Sequence, residues 1–211
     1  MNGAPLIHVV DDDDGQRNAL VRLLGAAGYD ARGHASVGDF LLYELPDRPC
    51  CLVLDLRMPG KSGLDLQAVL NERERPLPVV FLSGNADVTS SVRAMKAGAI
   101  DFLTKPVDSA VLLKAIETAL AREATQRQAE DEALRVGALL ASLSTRERAV
   151  LDLIVAGSLN KQIAGSLGIA ERTVKLHRAN LMSKLNVKSP AQLGQLAEQL
   201  RERSGLTRFL P

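Results

Sequence analysis

The chain has 211 residues, of which 46% are hydrophobic and 24% are charged, and its formal net charge is +1. These values are typical of a globular protein with one large domain or two small ones. No apolar run is long enough to span a membrane, and no signal-peptide pattern opens the chain. We therefore expect a cytoplasmic protein that does not associate with membranes.

Charge is distributed unevenly along the chain. Residues 1–120 carry 12 basic and 16 acidic side chains, whereas residues 144–211 carry 11 basic and 5 acidic ones. A basic segment gains free energy on a polyanion because it releases counterions there. The contrast predicts two domains with different roles, the second of which is suited to nucleic acid.

Short apolar runs in the first 120 residues predict the strands of a parallel sheet, because strands buried on both faces read as near-continuous apolar runs. The five runs are Leu6–Val10, Tyr29–Arg32, Cys51–Leu54, Val79–Leu82 and Ala99–Leu103. Helix-length amphipathic segments lie between or after them, at residues 16–27, 63–72, 88–97 and 107–120. Five strands alternating with helices predict an α/β doubly wound parallel five-stranded sheet of the flavodoxin-like type.

The rest of the chain is helical by pattern. The fifth helix continues as a polar segment without Pro or Gly to residue 136, which predicts a helical linker. Ser144 and Glu147 form a capping box that opens a new helix, Asn160 can cap the next one, and a third helix ends near Leu185. The short turn around Gly168 separates two of these helices, as in a helix-turn-helix. The predicted domains are 1–120, a linker over 121–143, and a small all-α helix-turn-helix domain over 144–211.

Acidic and basic side chains follow the predicted strands where each strand ends. Asp11–Asp14 follow the first strand, Asp55 the third, Ser83 the fourth and Lys105 the fifth. Ligands bind at this edge of open α/β sheets. Several carboxylates cannot lie together ionised without a cation, and Mg²⁺ is suited to oxygen ligands. A carboxylate nucleophile with Mg²⁺, a lysine and a hydroxyl predicts a phosphoryl-transfer site.

Two histidines lie in the same region. His8 falls inside the first strand, which favours a packed histidine over a metal ligand. His34 is expected in a loop with no carboxylate pattern near it.

The motifs at the strand ends resemble those of the receiver domains of two-component response regulators. The matching segments are Val9–Asp12, Leu54–Gly60, Ser62–Leu64, Phe81–Gly84 and Asp101–Pro106. The resemblance covers about residues 5–120. It implies that Asp55 is the phosphoacceptor and that Mg²⁺ is held by Asp11, Asp12, Asp55 and the backbone carbonyl of Arg57.

The same resemblance assigns roles to three further side chains. It implies that Ser83 and Lys105 contact the phosphoryl group and that Phe102 is a switch aromatic that turns inward when Ser83 moves. The Lys105-Pro106 peptide is expected to be cis. Asp13 and Asp14 extend the acidic run beyond the usual pair, so the register of the Mg²⁺ ligands is open between these residues and their neighbours.

A helix over residues 171–185 would place its apolar and its cationic side chains on opposite sides. At about 100° per residue, Val174, Leu181 and Leu185 form one stripe. The predicted DNA contacts are Lys175 at a base edge, Leu176 and Ala179 on the same outward face, and the phosphate contacts Lys161, Arg172, Thr173, Arg178 and Lys184.

These segments resemble the LuxR-type DNA-binding domain, and together with the receiver motifs they resemble the NarL/FixJ class of response regulators. The matching segments are Leu143–Glu147, Ala156-Gly157, Asn160–Ala164, Leu167–Ile169, Arg172–His177 and Lys184-Leu185. One departure is Ala170, where the family commonly has a capping Ser or Thr.

The resemblance implies a transcription regulator and not an enzyme; its only catalysis would be its own Mg²⁺-dependent phosphotransfer and dephosphorylation. The expected partners are a sensor histidine kinase, double-stranded DNA, a second copy of the chain after phosphorylation, and RNA polymerase. The stripe Leu193, Leu196 and Leu200 of the last predicted helix is a candidate dimer contact, with closure of the small domain's own core as the other interpretation.

Functions of other classes also use similar residues. A phosphatase with an aspartate nucleophile would need a second acid two residues later, where this chain has Arg57. A flavin or nucleotide carrier would need a Gly-rich or hydroxyl-rich loop where Asp11–Asp14 would repel phosphate. A protein-interaction output without DNA is disfavoured by the basic third helix of the small domain.

Overall fold

The computed structural model describes residues 4–73, 75–84 and 88–196. The chain divides into two compact units, Met1–Ala129 and Glu130–Pro211. Within the described residues, no helix has both the length and the apolar character needed to cross a membrane.

A five-stranded parallel sheet forms the centre of the first unit, with the strand order β2-β1-β3-β4-β5. The strands are β1 (Leu6–Val10), β2 (Asp30–His34), β3 (Cys50–Asp55), β4 (Val79–Ser83) and β5 (Asp101–Thr104). Every residue of β1, β3 and β4 is buried, which explains their unbroken apolar runs. The predicted doubly wound α/β fold is confirmed.

Helices cover both faces of the sheet. They are α1 (Asp14–Ala26), α2 (Val37–Leu41), α3 (Gly63–Asn71), α4 (Val88–Lys96) and α5 (Ser109–Ala141). Alternate strand residues serve the two faces, so that Leu52 and Leu54 pack with α2, α3 and α4, whereas Cys51 and Val53 pack with α1 and α5. The side of the sheet on which each helix lies follows from this alternation.

Two elements differ from the sequence prediction. β2 is Asp30–His34, displaced from the predicted Tyr29–Arg32, because the strand is at the sheet edge and only His34 in it is buried. The five-residue helix α2 was not predicted. Its local signal is Ser36, whose hydroxyl accepts a hydrogen bond from the backbone N–H of Asp39 at 3.1 Å.

The helical extension predicted after residue 120 is present, because α5 continues to Ala141. Within the first unit, Arg127 attaches α5 to the segment before β3. Its Nε donates to Glu123 at 3.0 Å, one terminal nitrogen donates to the backbone carbonyl of Arg48 at 2.9 Å, and the guanidinium also pairs with Asp47. Glu123 is 4% exposed, so its pair with Arg127 is sheltered from water.

The second unit is helical, as predicted. Its helices are α6 (Thr145–Val155), α7 (Asn160–Leu167), α8 (Glu171–Lys184) and the helical residues 190–196. The predicted capping box is confirmed, because Ser144 and Glu147 exchange hydrogen bonds at the start of α6. The predicted cap at Asn160 is wrong: the residue before α7 is Leu159, whose N–H donates to the Gln162 side chain at 2.8 Å.

Two leucines of the predicted dimer stripe, Leu193 and Leu196, pack within the second unit. Leu193 is fully buried in a cluster with Leu151, Leu181 and Leu185, and Leu196 packs against the same cluster. Leu193 therefore closes the core of its own unit and is not available to a second chain. Leu200 lies outside the described residues.

The N-terminus of α8 lacks a side-chain cap, because Ala170 occupies the cap position. We expect Ala170→Ser to raise the free energy of unfolding of the second unit by about 1 kcal/mol, since a hydroxyl would accept from a first-turn N–H. Chemical denaturation of the two proteins measures the difference. Ala179→Ser, in the exposed middle of α8, is the control and should stabilise nothing. An unchanged midpoint for Ala170→Ser would contradict the expectation.

Candidate functional site

The carboxyl edge of the sheet brings together the polar residues predicted there. Asp11 directly follows β1, Asp55 ends β3, Ser83 ends β4 and Lys105 follows β5. Because β1, β3, β4 and β5 are parallel neighbours, these four positions lie along one edge. Asp11, Asp55 and Ser83 are 2%, 8% and 1% exposed, so the site is set into the edge and not spread over the surface.

Lys105 joins the two buried carboxylates. Its Nζ donates to Asp11 Oδ2 at 2.7 Å and to Asp55 Oδ1 at 2.9 Å. Burial works to lower the pKa of Lys105, but the hydrogen bonds with Asp11 and Asp55 outweigh it and raise this pKa. The lysine is therefore a fixed positive charge beside both carboxylates.

Both carboxylate oxygens of Asp55 have hydrogen-bond partners. Burial raises the pKa of Asp55, and the hydrogen bond from Lys105 opposes that rise. The backbone N–H of Arg57 donates to its Oδ2 at 3.2 Å, which places the Arg57 peptide beside the carboxylate. Asp55 is thus held in one orientation at the end of its strand.

Three carboxylates of the edge are close enough to share a cation. Asp11, Asp12 and Asp55 each offer an oxygen, and these oxygens lie within 4.8 Å of one another. Asp11 and Asp55 are buried while Asp12 is exposed, so the cluster opens to solvent on one side. A set of hard oxygen donors that leaves room for water fits Mg²⁺.

The two additional acids of the run have other partners. Asp13 caps α1, because its side chain accepts from the backbone N–H of Gln16 at 2.8 Å, and this contact lowers the pKa of Asp13. Asp14 pairs with Arg17. Asp11 and Asp12 are the two acids of the run whose oxygens group with that of Asp55.

Two residues support the site without having been singled out from the sequence. Arg17 donates to the backbone carbonyl of Asp11 at 2.8 Å. Gly63 begins α3 so close to β3 that an added Cβ would lie 2.5 Å from the carbonyl oxygen of Asp55. Only a residue without a side chain fits at that approach. The position of Gly63 in the motif after Asp55 was the available signal.

The two residues predicted to act as a switch, Ser83 and Phe102, lie on the neighbouring strands β4 and β5. Ser83 ends the strand beside β5, and its carbonyl accepts from the backbone N–H of Lys105 at 2.8 Å. The Lys105-Pro106 peptide is cis, as predicted. Phe102, in β5, is half-buried, and its ring is stacked on that of Phe81 with 6.1 Å between centroids.

The expectation for His8 is confirmed, whereas that for His34 is wrong. His34 is not in a loop: it ends β2, is 2% exposed, and its Nε2 lies 2.9 Å from Nδ1 of the fully buried His8. Its Nδ1 lies 3.7 Å from the carboxylate of Asp39. Burial, with the charges of His34 and Arg32, lowers the pKa of His8 to about 4. The two histidines pack together between β1 and β2.

Helix α8 of the second unit has the two faces that the sequence predicts. Val174 and Leu181 are fully buried, and Leu185, directly after the helix, is 4% exposed. The opposite face is exposed and includes Arg172, Lys175, Leu176 and Ala179. The buried stripe packs with α6 and α7, which leaves the exposed face of α8 available to a ligand.

The remaining predicted DNA contacts differ in their availability. Lys161 at the start of α7 is exposed, and Thr173 is half-buried. One terminal nitrogen of Arg178 donates to the side chain of Asn160 at 3.1 Å, which ties α8 to α7.

Lys184 makes polar contacts with residues of its own unit. Its Nζ lies 2.7 Å from Glu147 and 3.2 Å from the carbonyl oxygen of Ser142. Hydrogen bonds from Lys184 and Ser144 lower the pKa of Glu147 to about 2. Lys184 therefore connects the end of α8 to the capping box of α6, which does not favour the predicted phosphate contact.

Comparison with known protein families assigns both units. The model of the response regulator receiver domain matches residues 7–117. The model of bacterial regulatory proteins of the luxR family matches residues 141–197.

Individual relatives cover nearly the whole chain. The transcriptional regulatory protein FixJ of Azorhizobium caulinodans is 44% identical over 191 residues, which is 90% of each chain. Nodulation protein W of Bradyrhizobium diazoefficiens is 40% identical and covers 92% of this chain and 86% of its own.

Two solved structures of response regulators are also similar to this chain. The response regulator StyR is 47% identical, with a TM-score of 0.86 over 93% of this chain and 100% of its own. Full-length FixJ from B. japonicum is 35% identical, with a TM-score of 0.56 over 99% of this chain and 100% of its own. The chain therefore belongs to the two-component response regulators that join a receiver domain to a LuxR-type DNA-binding domain, the class of the FixJ transcriptional regulators.

Proposed function

We propose that Asp55 accepts a phosphoryl group from a sensor histidine kinase and that this modification controls sequence-specific binding of double-stranded DNA by α8. The observation that carries the proposal is the contact of Lys105 with both Asp11 and Asp55 at the carboxyl edge of the sheet. A carboxylate nucleophile beside a fixed lysine and two more acids has the chemistry of phosphoryl transfer to aspartate.

Each residue of the edge has a defined part in this chemistry. Asp11, Asp12, Asp55 and the backbone carbonyl of Arg57 would hold Mg²⁺, which supplies positive charge to the transferring phosphoryl oxygens. Asp55 contributes the attacking oxygen. Lys105, already within 2.9 Å of Asp55, supports the negative charge that phosphorylation adds.

Ser83 and Phe102 are proposed to report the phosphorylated state. Ser83 lies at the end of β4 next to the acceptor strand, and its hydroxyl is the group suited to bind a phosphoryl oxygen. Phe102, in the neighbouring strand, packs against the cluster that also contains Ala94 of α4. Movement of Ser83 toward the phosphoryl group would let Phe102 turn inward and alter the surface of α4. The phosphoryl group can shift this equilibrium only through better contacts in one of the states.

The proposed partner on α4 is a second copy of the chain. Val88, Val92 and Met95 recur at helical spacing and are 77%, 44% and 45% exposed. This stripe lies on the helix whose inner residue Ala94 contacts the cluster of Phe102. A dimer would place two output units on paired half-sites of DNA.

The DNA interface is proposed on the exposed face of α8 and the start of α7. Lys175 would contact a base edge, with Leu176 and Ala179 beside it in the major groove. Phosphate contacts are proposed for Lys161, Arg172, Thr173 and Arg178. Lys184 is left out of this interface because its Nζ is paired with Glu147. RNA polymerase is a further proposed partner. The proposed compartment is the cytoplasm, where the chain meets both the kinase and the DNA.

DNA binding with and without phosphorylation tests the proposal as a whole. The full chain, treated with Mg²⁺ and a small phosphodonor such as acetyl phosphate, is used to select bound duplexes from a random library. The proposal expects one enriched sequence, bound more tightly by the treated than by the untreated chain. Failure to enrich any sequence, or equal binding by both forms, would overturn it.

Two lysines separate base contacts from phosphate contacts. Lys175→Ala should lower discrimination between the selected and a random duplex by about 1–3 kcal/mol, as expected for a base-edge contact. Lys161→Ala should weaken binding to both duplexes equally and reduce the salt dependence by about one unit of slope, because one phosphate contact is lost. Fluorescence titrations at several salt concentrations measure both effects. Equal salt slopes and unchanged discrimination in both variants would show that the face of α8 is misassigned.

A further inference from the structure

One leucine lies on the exposed face of α8, surrounded by polar and small residues. Leu176 is 59% exposed, although leucine side chains are stabilised by burial. Its exposed neighbours on the helix are Arg172, one turn before it, Lys175, and Ala179, one turn after it. A large apolar side chain in this position is uncovered in the free protein.

The direction of Leu176 follows from the buried stripe of the same helix. Val174 and Leu181 are fully buried and define the inward direction. At about 100° per residue, Leu176 points within roughly 30° of the opposite direction. Leu176 is therefore near the centre of the exposed face, where a groove-binding helix comes closest to the bases. Ala179 beside it is small enough to allow that approach.

We propose that Leu176 is a specificity-determining residue that contacts the C5-methyl group of a thymine in the major groove. The proposal rests on the DNA-binding function proposed above. Thymine is the only standard base that presents a methyl group in the major groove, and an apolar side chain is the contact that recognises it. Lys175 and Arg172 flank the leucine with positive charge, which favours DNA over an apolar protein surface as the group that covers Leu176.

Replacement of thymine by deoxyuridine tests this contact, because it removes the methyl group and leaves base pairing unchanged. The probe is the duplex selected by the full chain from a random library, with each thymine replaced in turn. At one thymine in each half-site, the replacement should weaken binding about four-fold. This is the loss of affinity expected when one buried methyl group is removed. Leu176→Ala should bind the thymine and deoxyuridine forms of that position equally, and the other thymines should show no coupling to Leu176.

Leu134→Ala is the matched control. Leu134 is 71% exposed on α5 outside the helix-turn-helix, so its removal should leave the deoxyuridine effect unchanged. If a duplex is selected but no thymine couples to Leu176, the inference is overturned while the DNA-binding function stands. If Leu176→Ala binds the selected duplex as tightly as the original chain, the leucine serves a protein partner instead and the inference is again overturned. If no duplex is selected at all, it is the proposed DNA-binding function that fails.

Discussion

Asp55→Asn is expected to abolish labelling of the chain by a small phosphodonor in the presence of Mg²⁺. The substitution keeps the size and shape of the side chain but replaces the oxygen nucleophile by an amide, which does not attack phosphorus under these conditions. Labelling is measured by intact-mass analysis, in which the unsubstituted chain should gain one phosphoryl group and the variant none. Removing the divalent cation with a chelator should also stop labelling, because the acidic cluster then lacks the charge that balances the incoming phosphoryl group.

Asp14→Asn provides the matched control for this result. Asp14 belongs to the same acidic run, but it is exposed and pairs with Arg17. The control should therefore label as the unsubstituted chain does. Stoichiometric labelling of Asp55→Asn would show that another residue accepts the phosphoryl group. Loss of labelling in Asp14→Asn would place the metal ligands later in the run than we propose, with Asp14 among them.

The strands that are buried on both faces of the sheet could be predicted from the sequence. The edge strand was harder to predict. β1, β3 and β4 are buried on both faces, so nearly every residue in them is apolar and the runs are visible in the sequence. β2 pairs on one side only, and its sequence is mostly polar. The end of β2 at His34 is recognisable only through its contact with His8, which is 26 residues away.

The candidate site could likewise be predicted only in part from the sequence. Its residue types and their order follow from strand ends, because parallel strands bring those ends to one edge. Which acids are free to bind a cation does not follow, because it depends on the cap that Asp13 makes on α1. The ion pair of Lys184 was equally hard to predict, because its partner Glu147 lies 37 residues earlier in the chain. Contacts between distant segments decide such roles, and local patterns do not record them.

The proposed dimer contact shows how packing helps to choose between two interpretations of one sequence pattern. The stripe of leucines in the last helix and the stripe on α4 both have helical spacing, but Leu193 is fully buried while Val88 is 77% exposed. Leu193 and Leu196 of the first stripe pack into the core of their own unit. The second is uncovered in the described part of the chain and lies on a helix next to the proposed switch, so it is the better candidate for a surface that phosphorylation controls.

Val92→Glu is expected to prevent phosphorylation-driven dimerisation while leaving phosphorylation itself intact. Val92 is at the centre of the α4 stripe, and two copies of a buried glutamate would have to lose their hydration in a symmetric interface. Sedimentation should show the treated variant as a monomer at concentrations where the treated unsubstituted chain is a dimer. Binding to the selected duplex should weaken about 100-fold, because the two output units would no longer be linked.

Leu42→Glu is the control for an added surface charge, since Leu42 is 89% exposed and follows α2, which does not belong to the α4 stripe. This variant should label, dimerise and bind DNA as the unsubstituted chain does. A treated Val92→Glu chain that still doubles its mass would remove α4 from the interface. A treated unsubstituted chain that stays a monomer while it fully occupies the selected duplex would rule out dimerisation as the step that phosphorylation controls. In that case the switch from Ser83 to Phe102 would have to act on DNA binding within a single chain.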